Sequence, residues 1–70
     1  MFDEQLNQER MAYGKASIEK LDIQVFELNS KCLTFQFKGC DVLYYPYSGW
    51  HTGKSIKDGR GLKNLLKQLK

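Results

Sequence analysis

Residues 49–55 read Gly-Trp-His-Thr-Gly-Lys-Ser, one residue after the apolar run Val-Leu-Tyr-Tyr-Pro-Tyr. A glycine turn ending in Gly-Lys-Ser is the residue set with which a P-loop cradles phosphate. That chemistry needs four residues between the two glycines, so that successive backbone N–H groups can wrap the anion before the lysine and hydroxyl reach it. Here three residues separate Gly49 from Gly53, and Ser48 stands where glycine is required. Ile56-Lys57-Asp58-Gly59 then introduces another turn where a P-loop helix should begin. Seventy residues also leave no room for the large parallel sheet of a nucleotide hydrolase, so that activity is not expected.

The same stretch supports a plainer anion chemistry. If Gly59-Arg60-Gly61 forms the first turn of a helix, its unpaired N–H groups and the helix dipole attract phosphate or carboxylate. Lys54, Lys57 and Arg60 surround that end, and Gly59 and Gly61 let an anion approach the backbone. Lys63 and Lys67, four residues apart, extend the cationic strip along the helix, with Lys70 beyond them. Such a strip can track the phosphate backbone of DNA or RNA, or steer an acidic protein surface. Tyr47 and Trp50 could stack on bases or anchor a protein partner. Trp50 is also suited to closing the end of a small core, and the shortage of other large core residues favours that use.

No catalytic residue is assigned. His51 is the single histidine and is expected in a loop, and a general base needs an oriented partner that neither Asp58 nor Tyr47 clearly provides. Without a Cys-x-x-Cys pair and with one histidine, neither a metal nor another cofactor is expected. Cys32 and Cys40 fall too far apart in the expected hairpin to form a disulfide.

The elements that must position these groups follow from periodicity. Residues 3–19 are expected to be helical, with Asp3 as cap and Phe2, Leu6, Tyr13 and Ala16 near one face. Gly14 weakens that helix by up to about 1 kcal/mol relative to alanine. Strands are expected over 21–28, 32–38 and 40–45, with a turn at Asn29-Ser30-Lys31. A two-residue tip at Lys38-Gly39 pairs Phe37 with Cys40, Phe35 with Val42 and Leu33 with Tyr44, putting all six side chains on one face. Cys32 then lies near Tyr45, and Pro46 ends the strand. Residues 46–61 hold four of the six glycines and read as a long loop. Leu62, Leu65, Leu66 and Leu69 mark an amphipathic helix over 59–69, with Asp58 as its cap. The expected fold is a single small α+β domain, residues 1–70, in the order αβββα. Both helices cover one face of a three-stranded antiparallel sheet.

The αβββα order, with the glycine- and lysine-rich segment Thr-Gly-Lys-Ser-Ile-Lys-Asp-Gly-Arg-Gly-Leu-Lys-Asn-Leu-Leu-Lys-Gln-Leu-Lys opening the last helix, resembles the double-stranded-RNA-binding fold. It also looks like the small RNA-cleaving toxins of the HicA type. The first resemblance implies a basic helix N-terminus laid on phosphates. The pattern Val-Leu-Tyr-Tyr-Pro-Tyr-Ser-Gly-Trp followed by Lys-Asp-Gly-Arg-Gly-Leu-Lys-Asn-Leu-Leu-Lys-Gln-Leu is similar to small uncharacterised proteins of bacteriophages and mobile elements, which implies an origin more than an activity.

The net charge of +3 conceals a split. Residues 1–30 carry six acidic and three basic side chains, a net of −3, and residues 31–70 carry eight basic and two acidic ones, a net of +6. No apolar run approaches the length that spans a bilayer, and the acidic, polar N-terminus does not read as a signal peptide. The chain is therefore expected to be cytoplasmic, with no membrane partner. Its expected role is that of a non-enzymatic nucleic-acid-binding accessory protein of phage-like character. The alternative is a small modulator or inhibitor that binds a host or phage protein through an aromatic and basic surface.

Overall fold

The computed structural model describes residues 3–70, so the placement of Phe2 on a helix face lies outside the described residues. Helix α1 spans Glu4–Glu19. Asp3 starts it as expected, its carboxylate accepting the Leu6 N–H at 3.1 Å. The chain then turns through Asp22, whose φ of 65° ends the helical path. The strands are β1 (Val25–Asn29), β2 (Cys32–Phe37), β3 (Cys40–Tyr45), β4 (Trp50–Gly53) and β5 (Gly59–Arg60). Helix α2, Leu62–Leu69, closes the chain. The five strands form one antiparallel sheet in chain order, so every neighbour in sequence is a neighbour in space.

The central hairpin has the expected register: Leu33 opposite Tyr44, Phe35 opposite Val42, Phe37 opposite Cys40. Lys38 and Gly39 both take positive φ, 54° and 80°, which is what a two-residue tip requires to match strand twist. Val25 joins this face opposite Phe35, and His51 joins it opposite Tyr44. Val25, Leu33, Phe35, Val42 and Tyr44 form one core cluster with Met11 and Ile18 of α1 and Leu65 and Leu69 of α2. Leu21, Ile23, Phe37, Ile56, Leu62 and Leu66 seal its margins.

Three expectations are corrected. The sheet has five strands, not three, because residues 46–61 are a second hairpin instead of a loop. Strand β1 starts at Val25 instead of Leu21, since the helix exit through Asp22 uses up the preceding residues. The buried face of α1 is Asn7, Met11, Gly14 and Ile18. Ala16 is exposed, and Tyr13 is 69% exposed. Apolar count misplaced that face because two of its four positions are Asn and Gly. Asn7 ties α1 to the β1–β2 turn, its amide donating to the Ser30 carbonyl at 2.8 Å. Gly14 is where α1 meets the sheet. A Cβ there would stand 2.9 Å from the Tyr44 ring, so the residue expected to weaken the helix is the one that lets it seat.

Candidate functional site

The second hairpin decides where the candidate residues go. Pro46 ends β3, and the next three residues turn back so that the Gly49 N–H reaches the Tyr45 carbonyl at 2.7 Å. Gly49 has φ 84° and its would-be Cβ lies 3.0 Å from the Gly61 nitrogen, so both conformation and space require glycine. Strand β4 then alternates: Trp50 outward, His51 inward, Thr52 outward. The pattern is hard to see in sequence, because its inward residues are a histidine and a glycine, not aliphatics.

Tyr47 is held by α1. Its hydroxyl accepts the Asp3 N–H at 3.0 Å, its carbonyl accepts from the Arg10 guanidinium, and Arg10 lies over its ring at 5.4 Å. The ring is thus committed to closing the turn onto α1. Trp50 pairs with Tyr45 on one side and Arg60 on the other. Paired residues share a face, so these three stand together on the side of the sheet away from the core. Trp50 is 37% exposed and does not close the core.

His51 takes the buried position instead, at 0% exposure. Its Nδ1 lies 3.3 Å from the Gly49 carbonyl and its Nε2 lies 3.4 Å from the Gln68 side-chain nitrogen. Those partners fit the tautomer with hydrogen on Nδ1, donating to the carbonyl and accepting from the amide. The Tyr44 ring lies 6.4 Å away, tilted by 53°. Gly59 sits opposite His51, where a Cβ would come within 3.4 Å of Nε2 and 2.9 Å of the Asn64 amide. The histidine is a satisfied core residue.

The glycine-rich run is not the start of α2. Gly59 and Arg60 form β5 against β4, and the Gly61 N–H donates to the Gly49 carbonyl at 3.0 Å. Gly61 is the N-cap, with no side-chain cap. Asp58, expected to cap α2, accepts the Thr52 hydroxyl at 2.7 Å across the hairpin. The anticipated nest of free glycine N–H groups is therefore absorbed by pairing between strands and turns.

The cations divide between two sides. Arg60 shares the outer sheet face with Trp50, and Lys54 borders that face with Asp41, Asp58 and Thr52. Helix α2 covers the opposite, inner face. There Lys63, Lys67 and Lys70 are exposed and, at 3.6 residues per turn, lie on the side of the helix away from Leu65 and Leu69. Lys57 is bound to α2 through Gln68, whose carbonyl accepts the Lys57 N–H at 2.6 Å while its amide donates to the Lys57 carbonyl at 3.2 Å. One side chain thus satisfies both backbone groups of a loop residue. Sequence reasoning missed Gln68, and its only sign was a polar residue at the margin of the leucine stripe.

Sequence reasoning placed Tyr45 and Leu43 on the outer face, as the register has them, but missed the apolar outer side of β1. Phe26 and Leu28 are 55% and 57% exposed, out of phase with Val25, and that double phase was the legible sign of a strand with two apolar sides. Cys32 is buried beside Tyr45. Burial pushes its thiol pKa up, opposed by hydrogen bonding to the Tyr45 side chain and the Tyr44 backbone. The Tyr45 phenol is raised in turn, first by the charge that a Cys32 thiolate would carry. Both cysteines are free. Among the described residues no cluster of three or more His, Cys, Asp or Glu side chains is placed to hold a metal, and no helix is long and apolar enough to cross a membrane. No protein-family model, no curated protein and no solved structure matches this chain.

Proposed function

We propose that this protein is a non-enzymatic nucleic-acid-binding accessory protein that lays the exposed side of α2 on the phosphate backbone of DNA or RNA. One observation carries the reading. Helix α2 has no acidic residue, and it turns Lys63, Lys67 and Lys70 to solvent while Gln68 fastens the Lys57 loop to its flank. Helix α1, by contrast, carries Glu4, Glu9 and Glu19 against Arg10 and Lys15, and it offers no comparable field. Neutralising four phosphates predicts a log–log salt slope of roughly −3 to −3.5. The test is fluorescence anisotropy of labelled single- and double-stranded oligonucleotides against salt. Replacing Lys63 and Lys67 with alanine should flatten the slope by about 1.5–2. Absence of binding at low salt, or a slope unmoved by that double substitution, defeats the reading. The other reading, a modulator of a separate protein, draws support from the exposed Trp50, Phe26 and Leu28.

A further inference from the structure

Among the described residues, no element covers the side of the sheet opposite the helices. Its middle is formed by Phe26, Leu43, Tyr45 and Trp50, related across the strands by the observed pairings with Thr34 and Thr52 between them. Leu28, at the irregular end of β1, lines the same face beside Thr34 and Leu43. Phe26, Leu28 and Trp50 remain substantially exposed. A contiguous apolar sheet face on so small a protein marks a surface that is covered in use.

Charge narrows what can cover it. Lys54 and Arg60 border the face, and so do Asp41 and Asp58. With Asp22 beside Asp41, the formal sum is −1, although the whole chain carries +3. Such a rim does not attract phosphate, and the cationic surplus lies elsewhere. Lys54 and Asp58 share one concavity with Asp41, so the separation of signs is between Arg60 and the corner of Asp22 and Asp41. Arg60 stands at the β5 corner beside Trp50. Asp41 stands toward the other corner, sharing a concavity with Asp22, Phe26 and Gln36. A two-fold axis lying in the plane of contact brings the positive corner of one copy over the negative corner of the other, with the aromatics meeting between them. Such a face complements itself.

We propose that the outer face is the self-association surface of this protein, and that its occupant is a second copy of the same chain, packed sheet to sheet. The two sheets would lie about 10 Å apart. The 23 strand residues, each about 3.3 Å along the strand and about 4.8 Å across, give roughly 360 Å² in plan. Side-chain relief raises the accessible area toward the lower end of specific interfaces. The expected dimer is correspondingly weak, with a dissociation constant on the order of 1–100 µM. It would point the two α2 helices outward, leaving their lysines free.

Trp50 is the sole tryptophan and reports directly on this face. Sedimentation of the intact protein from about 1 to 500 µM should show a monomer–dimer equilibrium. Over the same range, Trp50 emission should shift to the red on dilution. Phe26→Ser should weaken association at least about tenfold and leave the emission red-shifted at all concentrations. Arg60→Asp should weaken it as well, and adding Asp41→Lys to Arg60→Asp should restore part of the loss. Thermal melts should stay within a few degrees of the parent, since these side chains lie outside the core. A protein that remains monomeric at 500 µM overturns the proposal, whether or not another protein or an oligonucleotide occupies the face. A dimer indifferent to Phe26→Ser, with no change in Trp50 emission, places the contact elsewhere and overturns it equally.

Discussion

Trp50 and His51 are adjacent in β4, yet one is 37% exposed and the other 0%. By residue type the assignment should be reversed, with tryptophan packing the core and a polar imidazole left in solvent. The sheet allows no such choice, because successive side chains on a strand point to opposite faces. Once Tyr44 is committed to the core by the β2–β3 hairpin, its partner His51 must follow, and Tyr45 carries Trp50 outward. The histidine is tolerated because Gly49 and Gln68 satisfy both ring nitrogens. Register therefore overrode hydrophobicity, and the two faces of the sheet took different roles: one holds the fold together and the other is left for contact.

That contrast can be broken most forcefully at His51. His51→Ala removes a buried ring and its hydrogen bonds to the Gly49 carbonyl and the Gln68 amide, which keep the Gly61 N–H and the Lys57 carbonyl as partners. The expected loss is about 2–4 kcal/mol by chemical denaturation. Trp50→Ser should change stability by less than about 1 kcal/mol. If the tryptophan variant proves the costlier of the two, the assignment of faces is wrong. A smaller effect is expected at the seat of α1. Gly14→Ala improves helix propensity by up to about 1 kcal/mol, but it drives a Cβ to 2.9 Å from the buried Tyr44 ring. The clash should prevail, for a net loss of about 1–2 kcal/mol. A gain in melting temperature would show that the helix does not sit against that ring.

The smallest expected effect concerns pH. Burial pushes the Cys32 thiol above its ordinary value of 9.0 and the Tyr44 phenol above its ordinary 10.0, with Arg10 opposing the latter. Both groups hold their protons more tightly folded than unfolded. Their contribution is complete below pH 9 and is lost as pH rises through the raised values. Melting temperature should therefore be insensitive to these groups up to about pH 9 and fall above it. Cys32→Ala should delay the onset of that fall. A profile that drops from pH 7, or one that Cys32→Ala leaves unchanged, would separate the decline from the thiol.

Legibility followed the strength of local pattern. The Asp3 cap, the Lys38-Gly39 tip and the pairing of Leu33, Phe35 and Phe37 with Tyr44, Val42 and Cys40 were readable, since alternation and turn chemistry act over a few residues. The leucine stripe placed α2, though it could not fix the first turn. Gly59-Arg60-Gly61 is compatible with a helix start, and only the arrival of β4 alongside makes Gly59 and Arg60 a strand. The α1 face was misplaced because Asn7 and Gly14 are buried for reasons on other elements, the Ser30 carbonyl and the Tyr44 ring. Among the candidate residues, the exposure of the lysines was predictable from their type. Their division between two sides of the molecule was not, because it depends on which strand Arg60 joins and on the side chain that holds Lys57.

The amino-acid sequence alone determined a small α+β chain, a central hairpin in one register, a terminal amphipathic helix and a cationic second half. These are consequences of period, turn residues and composition, which need no distant partner. The tertiary structure decided that residues 46–61 add two strands and that His51 goes in while Trp50 goes out. It also decided that Tyr47 closes onto α1 and that Arg60 parts company with the lysines of α2. Each of these depends on backbone pairing or packing with residues remote in the chain, and the same short glycine-rich segment has no preference of its own until those neighbours arrive.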